Sequence, residues 1–114
     1  MHTLWVDASD KGFGGVWQNK TVQGLWSHDE ATQSINWQEL QAIKLTLQTL
    51  KHLRQTTVLI RTDNMTASAY VNKQGGTSLR ALCLLARELW EICIRRGLTI
   101  QAKHIRSIDD VWTD

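Results

Sequence analysis

The sequence predicts an α/β fold: a five-stranded mixed sheet with helices packed on its faces, in the order β-β-β-α-β-α-α-β. Three observations predict it. Three short strand-like segments joined by tight polar turns open the chain. An amphipathic helical stretch then leads into a β-branched run, and two further helical stretches lead to a last strand. A hairpin block followed by βαβ units implies one mixed sheet rather than a bundle or a sandwich.

Each element has its own signature. Residues 2 to 8 alternate Leu4 and Val6 against Thr3, Trp5 and Asp7, the pattern of a half-buried strand. Asp10-Lys11-Gly12 turns the chain into Phe13-Gly14-Gly15-Val16-Trp17, and Asn19-Lys20 turns it again into Val22 to Ser27, which completes an antiparallel meander. Gly12, Gly14 and Gly15 are hairpin glycines, because no helix follows them to cradle a phosphate. A polar stretch, His28 to Ser34, separates the meander from the first helix. Leu40, Ile43, Leu47 and Leu50 then recur at steps of three and four, one apolar stripe of a helix from about Asn36 to Leu53.

Thr57 to Asp63 is a β-branched strand, broken at Asp63-Asn64, either of which can cap a short helix through Val71. Gly75-Gly76 ends that helix. Thr77 or Ser78 opens a longer one to Arg96, with Leu79, Leu82, Ala86, Leu89, Trp90 and Cys93 on one face and Gly97 as terminator. Leu98 to Lys103 is the last strand.

At 114 residues without proline the chain is a single domain, 1–114, with room for one core. Its longest apolar runs are a few residues, too short for a membrane span. Asp7 comes too early for a signal-peptide apolar region, so the expected location is intracellular. Cys83 and Cys93, ten residues apart on one helix, are too distant for a disulfide and read as buried apolar thiols. The six tryptophans are mainly core residues, although an exposed Trp37 or Trp112 could stack on a base.

Four acids stand at suggestive places. Asp7 ends the first strand, Asp63 ends the fourth, Glu39 lies in the first turns of the intervening helix, and Asp114 follows the fifth strand. The first and fourth strands should be parallel neighbours, and open α/β sheets bind ligands at the C-terminal ends of such strands. Clustered carboxylates repel one another, and hard divalent cations relieve that cost. All-oxygen donors suit magnesium or manganese, and two such ions about 4 Å apart can bracket a scissile phosphate. Setting these four acids aside leaves seven against thirteen Lys and Arg, a balance of +6 in place of the formal +2, which suits a nucleic-acid partner.

Ordered motifs along nearly the whole chain sharpen the reading. They are Val6-Asp7-Ala8-Ser9-Asp10-Lys11-Gly12-Phe13-Gly14-Gly15, Leu25-Trp26-Ser27, Ile35-Asn36-Trp37-Gln38-Glu39-Leu40 and Arg61-Thr62-Asp63-Asn64. Ala69-Tyr70-Val71-Asn72-Lys73-Gln74-Gly75-Gly76, Leu85-Ala86-Arg87-Glu88-Leu89-Trp90 and His104-Ile105 complete the set. In these the chain resembles the ribonuclease H domain of retroelement reverse transcriptases, most closely DIRS-type elements and their gypsy-type relatives. The resemblance implies a ribonuclease H-like fold and hydrolysis of the RNA strand of RNA–DNA hybrids by two Mg2+ ions, with Mn2+ able to substitute. It also implies an adjoining polymerase domain as partner.

The resemblance makes Asp7, Glu39, Asp63 and Asp114 the metal-binding carboxylates and His104 the loop histidine that assists proton transfer or product release. A lone histidine at a strand end would otherwise read as structural. Asn36 and Asn64 match positions that bond the nucleic-acid strands, and Asn36 also reads as a helix cap. Lys73, Arg80 and Arg87 are candidate phosphate contacts, or simply a solvated helix face.

The chain departs from the family at Arg106-Ser107, where Pro-Gly is usual, at Asp110 in place of Asn, and at Thr113-Asp114 in place of Ala-Asp. It stops at Asp114, where the family continues into a final helix, so the expectation is a C-terminally truncated domain. Two other readings stay open: a catalytically degenerate nucleic-acid-binding or scaffolding module, and a DNA-cutting nuclease on the same fold.

Overall fold

The computed structural model describes residues 2–73 and 80–105. Strands β1 (His2–Ala8), β2 (Gly12–Trp17) and β3 (Lys20–Leu25) are followed by helices α1 (His28–Ala31) and α2 (Ile35–Thr49). Then come β4 (Thr57–Thr62), α3 (Met65–Val71), α4 (Arg80–Arg96) and β5 (Thr99–His104). The five strands form one sheet in the order β3-β2-β1-β4-β5. β1, β2 and β3 pair antiparallel, and β4 runs parallel to both β1 and β5, with Leu4 opposite Ile60 and Trp5 opposite Arg61. The mixed sheet and the central parallel pair are therefore as expected.

Alternation divides the sheet residues by face. Leu4, Val6, Val58 and Ile60 are fully buried and join Leu40, Ile43 and Leu47 of α2 and Leu85 and Leu89 of α4 in one core. Burying each such side chain is worth about 1.5–3 kcal/mol. Their neighbours Thr3, Trp5, Leu59 and Arg61 are only half-buried. All the large, fully buried strand side chains thus share the face that α2 and α4 cover. On the other face the Arg61 guanidinium lies 5.8 Å from the Trp5 ring centroid.

Helix α2 lies close against β2 because Gly15 has no side chain: a Cβ there would come within 2.8 Å of the Thr46 methyl carbon. At the far end of α4, Gly97 takes φ +65°, the left-handed conformation that ends the helix as expected.

Several boundaries differ from expectation. The polar stretch from His28 forms a helical turn, α1, set by a capping box in which Ser27 Oγ accepts the Glu30 N–H and Glu30 accepts the Ser27 N–H. None of its residues is buried, so no apolar periodicity marked it. Strand β3 ends at Leu25, because the Trp26 indole N–H turns back to the Ser9 carbonyl at 2.7 Å. The hairpin loop between β2 and β3 is Gln18–Asn19, one residue earlier than expected.

Helix α2 stops at Thr49 rather than Leu53. There the Arg96 guanidinium donates to the carbonyls of Leu47 (2.6 Å), Leu50 and Leu53 (2.9 Å), taking up acceptors that would otherwise be left without partners at the helix end. Gly75-Gly76, Thr77, Ser78 and Leu79 lie outside the described residues.

Cys83 and Cys93 form no disulfide; Cys83 is half-buried rather than buried as expected, while Cys93 is buried, and burial pushes its thiol up to about 11. No helix among the described residues is long and apolar enough to cross a membrane.

Candidate active site

Asp7 stands near the end of β1, and Asp63 immediately follows β4. Each lies two residues beyond a paired position, Trp5 opposite Arg61, so strand alternation sets the two carboxylates side by side. Glu39 reaches them from the second turn of α2. Oxygens of Asp7, Glu39 and Asp63 all lie within 4.8 Å of one another, which makes three of the four expected acids one cluster. Asp114 lies outside the described residues.

The environment of Glu39 differs from that of its partners. Glu39 is 3% exposed, whereas Asp7 and Asp63 are half-buried. Its Oε1 accepts the Ala8 backbone N–H at 3.1 Å, and its Oε2 is buried without a hydrogen-bond partner. Desolvation by burial, then the charges of Asp7 and Asp63, raise its pKa to about 8. Without a cation, the cluster therefore keeps Glu39 largely protonated at neutral pH.

These residues fit a hard divalent cation. The donors are all carboxylate oxygens, they are already gathered, and one buried oxygen has no other partner. Exchange of the Glu39 proton for a metal would relieve both the burial cost and the mutual repulsion.

A pair of amides flanks the cluster. Asn64 caps α3, its Oδ1 accepting the Ala67 N–H at 2.7 Å, so of the two caps considered it is Asn64 and not Asp63 that serves. Asn64 Nδ2 donates to Asn36 Oδ1 at 2.9 Å. Asn36 itself is not a cap. Ser34 caps α2, accepting the Trp37 N–H at 3.2 Å, and Asn36 sits inside the first turn. A serine just before the helix was the signal for that cap.

His104 ends β5 opposite Thr62, and its Nε2 is 3.1 Å from the Asp63 carbonyl oxygen. The imidazole is exposed beside the cluster without touching a carboxylate oxygen. Lys73 points elsewhere: its ammonium lies 5.3 Å from the centre of the Trp90 ring. Arg80 and Arg87 are exposed on α4, and no described contact joins Lys73, Arg80 or Arg87 to the acids. Trp37 is half-buried against the core rather than free to stack, and Trp112 lies outside the described residues.

Sequence reasoning missed the support behind Glu39. Gln38 Nε2 donates to the Glu30 carbonyl at 3.1 Å and Gln41 Nε2 to the Glu30 carboxylate at 2.9 Å, which ties α1 to α2 on either side of the acid. The Ser27-x-x-Glu30 spacing was the available signal.

Neither a protein-family sequence profile nor a curated protein sequence matches the chain. Solved structures do. LC11-RNase H1 in complex with an RNA/DNA hybrid matches with a TM-score of 0.81 at 14% identity, covering 98% of this chain and 90% of that one. RNase H1 from the archaeon Halobacterium salinarum matches with a TM-score of 0.73 at 12% identity, over 96% and 89% of the two chains. The foamy viral protease-reverse transcriptase in complex with RNA/DNA hybrid matches with a TM-score of 0.59 at 12% identity, covering 97% of this chain and 18% of that much longer one. The fold is therefore the ribonuclease H fold.

Proposed function

We propose that this chain hydrolyses the RNA strand of RNA–DNA hybrids, as the ribonuclease H domain of a retroelement reverse transcriptase with an adjoining polymerase domain. The observation that carries the reading is the Asp7–Glu39–Asp63 cluster at the ends of two parallel strands, with oxygens within 4.8 Å. The likeness to an RNase H1 solved with a hybrid, and to a reverse transcriptase, supports the substrate and the context.

In this reading Asp7 and Asp63 are the central metal ligands, and Glu39 and Asp114 flank them. Two magnesium ions, or manganese in their place, would supply an activated water and charge to stabilise the departing oxygen. Glu39, oriented by the Ala8 N–H, gives up its proton when the site is filled. The Asn36–Asn64 amides present hydrogen-bonding groups where a ribose 2′-OH would distinguish RNA from DNA. His104, beside the Asp63 carbonyl, moves a proton or helps release product. Arg80, exposed on α4, would contact a phosphate farther along the duplex, and Lys73 would do so on leaving the Trp90 ring.

The test is cleavage of end-labelled RNA–DNA hybrid, duplex RNA and duplex DNA, with magnesium and with EDTA. Magnesium-dependent cutting of the RNA in the hybrid alone is expected. Cutting of duplex DNA would make the chain a DNA nuclease. Binding of hybrid without any cutting would make it a binding module.

A further inference from the structure

The end of the sheet opposite the acid cluster carries the opposite charge. An open groove of about 600 Å³ lies where α2 and α4 end, lined by Gln48, Lys51, Arg54, Ile92, Arg95 and Arg96. Four of the chain's thirteen Lys and Arg line it, and no acid does. Lys51 and Arg54 are exposed and make no ion pair among the described residues. Arg95 reaches Glu91 one turn earlier at 3.9 Å, with both side chains largely in solvent, a pairing of little strength.

Cations at helix C-termini often only satisfy carbonyls. Here Arg96 already does this for α2 through its bonds to Leu47, Leu50 and Leu53. Lys51, Arg54 and Arg95 are therefore surplus to capping. Burial, then the nearby Arg54 charge, lowers the Arg96 pKa from its ordinary value, so like charges are held together without an acid to offset them. An anion in the groove would remove that repulsion.

We infer that this groove binds the phosphodiester backbone of a nucleic acid, at a site separate from the carboxylate cluster. Arg54 precedes β4 and Asp63 follows it, and six strand residues at ~3.3 Å each put roughly 20 Å between groove and cluster. A phosphate held in the groove is thus not the scissile one. Guanidinium forks match phosphate oxygens, and such contacts grip the backbone without reading bases. The choice of nucleic acid over an acidic protein rests on the hydrolase reading above.

The experiment is fluorescence anisotropy of labelled RNA–DNA hybrid with the 114-residue chain, in EDTA, across a range of salt concentrations. Wild type should bind at low salt. The triple variant Lys51→Gln/Arg54→Gln/Arg95→Gln should bind at least tenfold more weakly at 0.1 M salt. Its slope of log affinity against log salt should shrink by roughly 0.9 per lost contact, about 2.7 in all. Arg54→Gln alone should lose about one such contact, which keeps the test decisive if the triple variant does not fold.

Unchanged slope and affinity in a folded variant, or no binding by wild type at low salt, overturns the inference. So does displacement of the hybrid by polyglutamate at lower concentration than by unlabelled hybrid, which would make the partner an acidic protein. The two readings fail separately. Hybrid cleavage by wild type with binding unmoved by these substitutions sinks only the groove. Groove-dependent binding without cleavage sinks only the hydrolase.

Discussion

The Ala8 backbone N–H donates to Glu39 Oε1 at 3.1 Å, across 31 residues of chain, and this bond joins the end of β1 to the second turn of α2. It holds a buried carboxylate beside two others that repel it. One Glu39 oxygen is satisfied by the strand, and the other is buried beside the neighbouring carboxylates without a backbone donor.

Asp63→Asn should abolish hybrid cleavage while leaving the fold intact or slightly more stable. The substitution removes one charge from a repelling cluster and, with it, a metal ligand. Cleavage assays and thermal melts of the two proteins check this. Cleavage near the wild-type rate would show that chemistry occurs elsewhere.

The metal-free chain should lose stability as pH rises from about 4.5 to about 8. Glu39 has a folded pKa above its unfolded value of 4.5, so the folded state holds the proton more tightly. Its contribution is complete below about 4.5 and is lost as pH climbs through about 8, a change on the order of a few kcal/mol. Chemical denaturation in EDTA at several pH values measures it. Glu39→Gln should flatten this part of the profile, and an equally steep profile in that variant would rule out Glu39 as its source.

Magnesium and manganese should raise the melting temperature, stabilising the fold by about 1.4 kcal/mol at tenfold excess over the dissociation constant, an effect that grows with the logarithm of metal concentration beyond it. Calcium should also stabilise the fold without supporting turnover, because its looser coordination positions water poorly. Asp63→Asn should lose most of the magnesium effect. A chain whose melting does not respond to any of these ions up to tens of millimolar would have no metal site here.

Arg96→Leu should cost about 2–4 kcal/mol, because three carbonyls at the end of α2 lose a charged donor in a part-buried setting. Urea denaturation gives the number. A loss below about 0.5 kcal/mol would mean that water replaces the guanidinium at little cost.

Asn36→Ala and Asn64→Ala should separate positioning from stability. Asn64→Ala removes the α3 cap and should cost about 0.5–2 kcal/mol. Asn36→Ala leaves both caps in place and removes only the hydrogen bond from Asn64 Nδ2, so it should cost about 0.5–1.5 kcal/mol. Both should reduce hybrid cleavage, and an Asn36→Ala enzyme with full activity would confine that residue to a structural role.

The order of the main elements, the parallel pairing of β1 with β4 and most of the apolar core were legible in the sequence, because hydrophobic period and turn chemistry are local properties. Asp7 and Asp63 were legible for the same reason: each stands at the end of a readable strand, and the strand order makes those ends neighbours. Element ends were less legible. Neither the Arg96 cap on α2 nor the return of Trp26 to Ser9 can be read from nearby residues, since each partner lies far along the chain.

Tertiary structure alone decided the state of Glu39. Its raised pKa comes from burial and from two charges that folding brings within 4.8 Å, and neither exists in the unfolded chain. The same holds for the Asn36–Asn64 bond and for the basic groove, whose residues come from the ends of two helices. Sequence period sets where a side chain points along its own element. Only packing sets what it meets there, and the charges and desolvation at the meeting place determine the chemistry.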